Sequence, residues 1–113
     1  MMMRTITELV REYGDLWVYL NGEAVSGRFL RDAEREGFSL SNGTPPTQTN
    51  RGYVMAVHGN GTLAHLPLFV WWRSFHGTKA PVGAKIDYER YVGGEADFIC
   101  RACHFERVEL RSS

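Results

Sequence analysis

Net charge is what this sequence lacks most plainly: 13 basic residues balance 13 acidic ones, spread evenly along the chain. A nucleic-acid binder carries a basic excess or stripe, and a mimic of nucleic acid an acidic one. Direct nucleic-acid binding and simple DNA mimicry are therefore not expected. Lysine is scarce, with only Lys79 and Lys85; the other basic residues are arginines, which suit paired and interface positions better. No apolar run approaches the roughly 18 to 20 residues that span a bilayer, so no membrane association is expected. Met1-Met2-Met3-Arg4 leads straight into a helical pattern, with no apolar h-region or cleavage site. That reads as no signal peptide and a cytoplasmic location. Thiols stay reduced there, which argues against a disulfide between the two cysteines, Cys100 and Cys103. Gly-rich phosphate loops, G-x-S-x-G and H-E-x-x-H are missing. No catalytic residue is assigned and enzymatic activity is not expected. Internal repeats and low-complexity segments are absent as well.

The sequence has 113 residues with 43% hydrophobic and 23% charged content, which suits a single domain over 1–113 with one real core. Its longest apolar stretch, Tyr53 to His76, predicts a β-hairpin followed by a long central strand. Asn60-Gly61 is a two-residue hairpin signal, because a type I′ turn needs positive φ at both central positions. Upstream, Thr5 and Glu8 fit a capping box, and Ile6, Leu9, Val10 and Tyr13 form one helical face ended by Gly14. Leu16 to Leu20 is a strand, apolar on both faces and therefore central. A second helix runs from Glu23 to Glu36, with Gly37 as its stop and Phe38 as the contact that follows. A short strand at 38–40 leads into a mobile loop at 41–52, poor in apolar residues. Ala84 onward predicts a strand, then a helical turn before Gly93-Gly94. Residues 96–100 and 105–110 predict two more strands, a C-terminal hairpin. This order implies an α+β fold in two layers, an antiparallel sheet with two helices packed on one face.

Cys100-x-x-Cys103 has the spacing of half a structural zinc site, two thiolates in a turn between strands. Only histidines or carboxylates can complete it. A two-residue turn at Asn60-Gly61 pairs His58 with Leu63 and Ala56 with His65, which sets both histidines on one face where they could share a metal. A meander instead returns Cys100 toward the His76 end of the preceding strands. His76 and His104 are then the better ligands, so the candidate zinc set is Cys100, Cys103, His76 and His104, stapling the segment 96–113. Buried, ordinary cysteines explain the same residues without a metal. A thioredoxin-like role needs a helix after the motif, and haem attachment needs export.

Trp71, Trp72 and Arg73 are the candidate partner-binding residues. On a strand the two rings point to opposite faces, so one lies away from the helices. Trp and Arg are frequent anchors of protein interfaces. The plainer alternative packs both rings.

Four stretches carry a family resemblance: E-L-x-x-x-Y-G-D-x-W-V-Y-L at 8–20, F-L-x-D-A-E-x-E-G-F at 29–38, V-M-A-V-H at 54–58 and D-Y-E-R-Y-V-G-G-E at 87–95. Over 5–95 the chain resembles small proteins of phages and mobile elements of Firmicutes, a pool that includes anti-CRISPR proteins. The matching motifs are structural, and the cysteine-bearing tail departs from the pattern. The resemblance implies a protein-binding inhibitor, most concretely one that blocks a type II CRISPR effector nuclease by engaging a protein domain. The alternatives are a small metalloenzyme or redox protein, or a mobile-element accessory protein with an unrelated partner.

Overall fold

A strand that is apolar on both sides must be covered on both, and the fold is built around one. The computed structural model describes residues 4–49, 52–75 and 83–101. In chain order they form α1 (Ile6–Tyr13), β1 (Leu16–Tyr19), α2 (Glu23–Arg35), β2 (Ser39–Leu40), a short 3-10 turn (Pro46–Gln48), β3 (Val54–Val57), β4 (Thr62–His65), α3 (Leu68–Ser74), β5 (Ala84–Asp87) and α4 (Tyr88–Val92). The strands make one sheet in the order β2-β4-β3-β1-β5. β1 is bonded on both edges, to β3 and to β5. Leu16 and Val18 enter the main core with Met55, Val57, Leu63 and Ile86, under Ile6 and Leu9 of α1 and Phe29, Leu30 and Ala33 of α2. Tyr19 faces the other way, into a smaller cluster with Val54, Trp71 and Cys100, and Trp17 packs against it.

The α+β class expected from the sequence holds, but the sheet is mixed. β1 runs parallel to β5 and β2 parallel to β4, while β3 is antiparallel to both of its neighbours. β3 alone is therefore reversed. The connection β1-α2-β2 travels toward one edge of the sheet, and β4-α3-β5 travels toward the other. Two crossovers in opposite directions share a hand only if they pass over opposite faces, and such crossovers are almost always right-handed. α2 takes one face with α1, so α3 takes the other. The two helices read from sequence do share a face; the third adds a layer on the far side.

Local chemistry explains the boundaries. Thr5 caps α1 by accepting from the Glu8 amide. Glu36 adds a second cap from outside, its carboxylate accepting from the amides of Ile6 at 3.1 Å and Thr7 at 2.8 Å. α2 ends in a Schellman motif: Gly37 sits at φ 92°, Gly37 N donates to Glu34 O at 3.1 Å and Phe38 N to Ala33 O at 2.9 Å. Asp87 caps α4 through the Arg90 amide. Residues 41–49 are tied to neighbours by Thr47, which donates to Glu34 through its amide and hydroxyl, and by Thr49 Oγ1, 2.9 Å from His65 Nε2. The Glu34 carboxyl is held below its usual pKa by those two hydrogen bonds.

The β3-β4 hairpin departs from the expected register. Val57 pairs with Leu63 and Met55 with His65. His58 O accepts from Gly61 N at 3.0 Å, and His58 N donates to Thr62 O at 2.9 Å. Gly61 is at φ 92°, while Asn60 is not in the positive-φ region. The loop is thus Gly59-Asn60-Gly61, a three-residue connection with one left-handed glycine, not a two-residue type I′ turn. The Asn60 side chain favours this form by accepting from the Thr62 amide at 3.2 Å and hydroxyl at 2.7 Å. The extra loop residue shifts the pairing by one, and a one-residue shift changes the face of every side chain relative to its partner. Of the two strands expected over 96–110, residues 98–100 run antiparallel beside β5, bridging Ile99 to Ile86, with Asp87 N on Phe98 O and Cys100 N on Lys85 O, both at 2.8 Å. The expected strand 105–110 lies outside the described residues.

One buried contact closes the helical side. Tyr88 donates to Asp32 at 2.5 Å, and Asp32 also pairs with Arg35 at 2.8 Å and Arg28 at 3.5 Å. Burial first, then the neighbouring Asp32 carboxylate, push the Tyr88 phenol far above its usual pKa. At the corner between α1 and β1, Gly83 N donates to Asp15 O at 2.9 Å. A β-carbon at Gly83 would collide with the Tyr13 carbonyl. Gly83→Ala is expected to cost on the order of 3 kcal/mol by forcing the backbones apart, read as a lower urea midpoint with an unchanged slope.

Candidate functional site

The segment expected to continue as a central strand turns into a helix at Pro67. Leu66 still follows the ladder, its amide on Val54 O at 3.4 Å. Proline has no N–H to donate to a ladder and a fixed φ suited to a helix start. Here Pro67 is the N-cap of α3 at φ −61°, and its carbonyl accepts from Val70 at 3.0 Å and Trp71 at 3.2 Å. Leu68 to Ser74 then wind for seven residues.

This change of period reassigns the three candidate binding residues. On a strand Trp71 and Trp72 would point to opposite faces; on a helix they are about 100° apart. Trp71 is fully buried against the far face of the sheet. Its ring stacks on Tyr19 with centroids 6.3 Å apart and meets Phe75 edge-on at 5.1 Å. It is a core residue, which corrects its assignment to a partner surface. Trp72 is half-buried and Arg73 is exposed. Phe69, one of two large hydrophobics that stand out in solvent among the described residues, is 52% exposed. Phe69, Trp72 and Arg73 stand at i, i+3 and i+4, one outer face of α3. The sequence reading missed Phe69; Pro67 followed by this helical spacing was the signal for it.

α3 is fixed at its C-terminal end by a cation from β5. Lys85 Nζ donates to Ser74 O at 3.1 Å and to Ser74 Oγ at 3.0 Å. It also lies 3.9 Å from the Phe75 ring centroid. A charge at a helix C-terminus, bonded to its last carbonyls, complements the helix dipole.

The candidate metal ligands are distributed differently. Cys100 is buried in the cluster with Trp71, Tyr19 and Val54. Burial, aided by the Asp87 carboxylate, pushes its thiol up to about 12. Cys103, His76 and His104 lie outside the described residues. Among the described residues, no three of His, Cys, Asp and Glu come together to hold a metal. His58 and His65 do not share one face, because of the register shift. His58 approaches Asp15, Nδ1 to Oδ2 4.0 Å, whose other oxygen accepts from Gly59 N at 2.7 Å, and His65 bonds Thr49.

Two surface hollows on the helical side are small. One of about 140 Å³ is lined by Gly22, Glu23, Ser26, Gly52 and Tyr53, and one of about 260 Å³ by Gly27, Leu30, Arg31, Thr47 and Thr49. Both fall short of the roughly 300 to 1,000 Å³ of small-molecule sites. No described helix is long and apolar enough to cross a membrane. No protein-family model, curated protein or solved structure matches the chain.

The two ends of the aromatic pair should separate cleanly in stability. Trp71→Ala is expected to cost about 3 to 5 kcal/mol, whereas Phe69→Ala should stay within about 0.5 kcal/mol of the parent. Chemical denaturation of the two variants checks this, and equal losses would place Phe69 in the core.

Proposed function

We propose that the protein works by binding another protein through the outer face of α3. The supporting observation is Phe69, 52% exposed on a helix whose Trp71 is seated in the far-face cluster, with the exposed Arg73 one turn away. A solvent-facing aromatic ring beside an arginine is the composition of an interface anchor. The chain's zero net charge favours occluding or locking a protein domain over imitating DNA.

The resemblance to phage and mobile-element proteins supplies the first target to test: a type II CRISPR effector nuclease, inhibited in the cytoplasm of the host cell. The protein should co-elute with the nuclease on gel filtration and slow its cleavage of target DNA. Phe69→Ala and Arg73→Glu should each weaken the complex about tenfold or more while leaving the melting temperature in place. Absence of a complex, with and without guide RNA, removes the nuclease as target. A complex indifferent to both substitutions removes the α3 face.

A structural zinc held by Cys100, Cys103, His76 and His104 is a separate proposal. Its support is the C-x-x-C spacing together with the return of 98–100 along β5, which brings Cys100 back beside that strand. Zinc binding would deprotonate the Cys100 thiol, against the upward push that burial gives its pKa. Mass spectrometry of protein purified without an affinity metal should find one equivalent of zinc. Cys100→Ser and Cys103→Ser should each lose it and melt earlier. Metal-free protein with unchanged melting in both variants ends the proposal.

A further inference from the structure

α3 is a weak helix by most local criteria. It has seven residues, no side-chain hydrogen bond at its N-cap and no acidic residue in its first turn. Phe69, Val70, Trp71, Trp72 and Ser74 all lie in the lower half of the helix scale. Helices this short do not persist alone in water. Its conformation is therefore imposed by what it touches. These contacts include Trp71 seated against Tyr19 and Phe75, Leu68 packed on the same cluster, and Lys85 bonded to Ser74.

The seat is also separable from the rest of the molecule. Among the described residues, the far-face cluster has four buried ones, Tyr19, Val54, Trp71 and Cys100. The main core lies across the sheet and is made by α1, α2 and α4. No residue of α3 belongs to that core, buried or partly buried. The Trp71 indole N–H, buried without a hydrogen-bond partner among the described residues, regains water when the helix lifts, which offsets part of the lost burial.

We infer that α3 opens as a unit without global unfolding, and that the Lys85–Ser74 contact is the latch that sets how often it is closed. This rests on the reading of α3 as the binding face. Phe69, Trp72 and Arg73 share one side only while the helix is wound and seated, so the latch governs whether the binding surface exists. Local opening of small cooperative units below the global free energy is a known behaviour of folded proteins. Coupling it to a docking face means that the apparent affinity falls with the closed fraction.

Cys100 supplies the probe, since it is buried in the same cluster as Trp71. In a Cys103→Ser background, thiol labelling of Cys100 should proceed with a weaker urea dependence than global unfolding. Lys85→Met should speed labelling about tenfold or more, the effect of losing its charge-assisted hydrogen bonds to Ser74. Hydrogen exchange at the Trp71 and Phe75 amides should accelerate in parallel. The Cys100 amide, bonded to Lys85 O across the β5 edge, should stay protected. Labelling that tracks global unfolding in both proteins overturns the inference. So does equal acceleration at the Cys100 amide, which would mean that 98–100 frays instead. None of these readouts involves a partner, so failure of the nuclease complex leaves the latch standing, and failure of the latch leaves the complex standing.

Discussion

β1 is the constraint on which the rest of the structure depends. Four residues, Leu16 to Tyr19, are hydrogen-bonded on both edges and carry large apolar side chains on both faces. Burying only one face would leave Trp17 and Tyr19 in water beside Val54. The smaller cluster exists to cover them, and α3 exists to build it. The chain's topology makes this cover inexpensive. Returning from β4 to β5 requires crossing the sheet in the direction opposite to α2, and the common hand of crossovers directs that return over the uncovered face.

Much of this was legible in the residues. Thr5 with Glu8, Gly14, and Gly37 with Phe38 mark helix ends through defined backbone hydrogen bonds, and each sits where those bonds require it. Local chemistry of that kind does not depend on distant packing, so sequence reveals it. The two-sided apolarity of β1 was legible too, and it already implied a second covering layer. What misled was the assumption that elements joined by short loops run antiparallel. Parallel pairing of β1 with β5 is a long-range fact, created by a crossover that no local pattern announces.

The two other departures share a cause. Asn60-Gly61 and the run after Pro67 each admit two local structures, and side-chain bonding decides between them. Asn60 closes on Thr62, which stabilises a three-residue loop in which only Gly61 needs positive φ. Pro67 ends a strand that hydrophobicity alone would extend. The aromatic residues beyond it favour a strand by propensity, yet they wind into a helix because Trp71 can then fill the space over Tyr19. The candidate site was therefore legible in composition but not in geometry. Arg73 was placed on the surface side by its chemistry, Trp71 was misplaced because the period was wrong, and Phe69 was overlooked for the same reason.

A helix made from residues that disfavour helices is a conflict between local preference and global structure, and natural proteins retain such conflicts mainly where function compensates. In α3 the conflict is between seven aromatic-rich residues and the sheet that winds them. Replacing Phe69 or Trp72 with alanine would raise helix propensity, so local stability alone does not account for their presence. An aromatic ring half in solvent contributes little to the fold it sits on; its apolar surface becomes favourable once another surface covers it. The same residues that make α3 a weak helix are the ones that would make it a good contact. Weak local structure and an exposed aromatic face are thus two consequences of one composition, and Lys85 bonds that helix at its C-terminal Ser74.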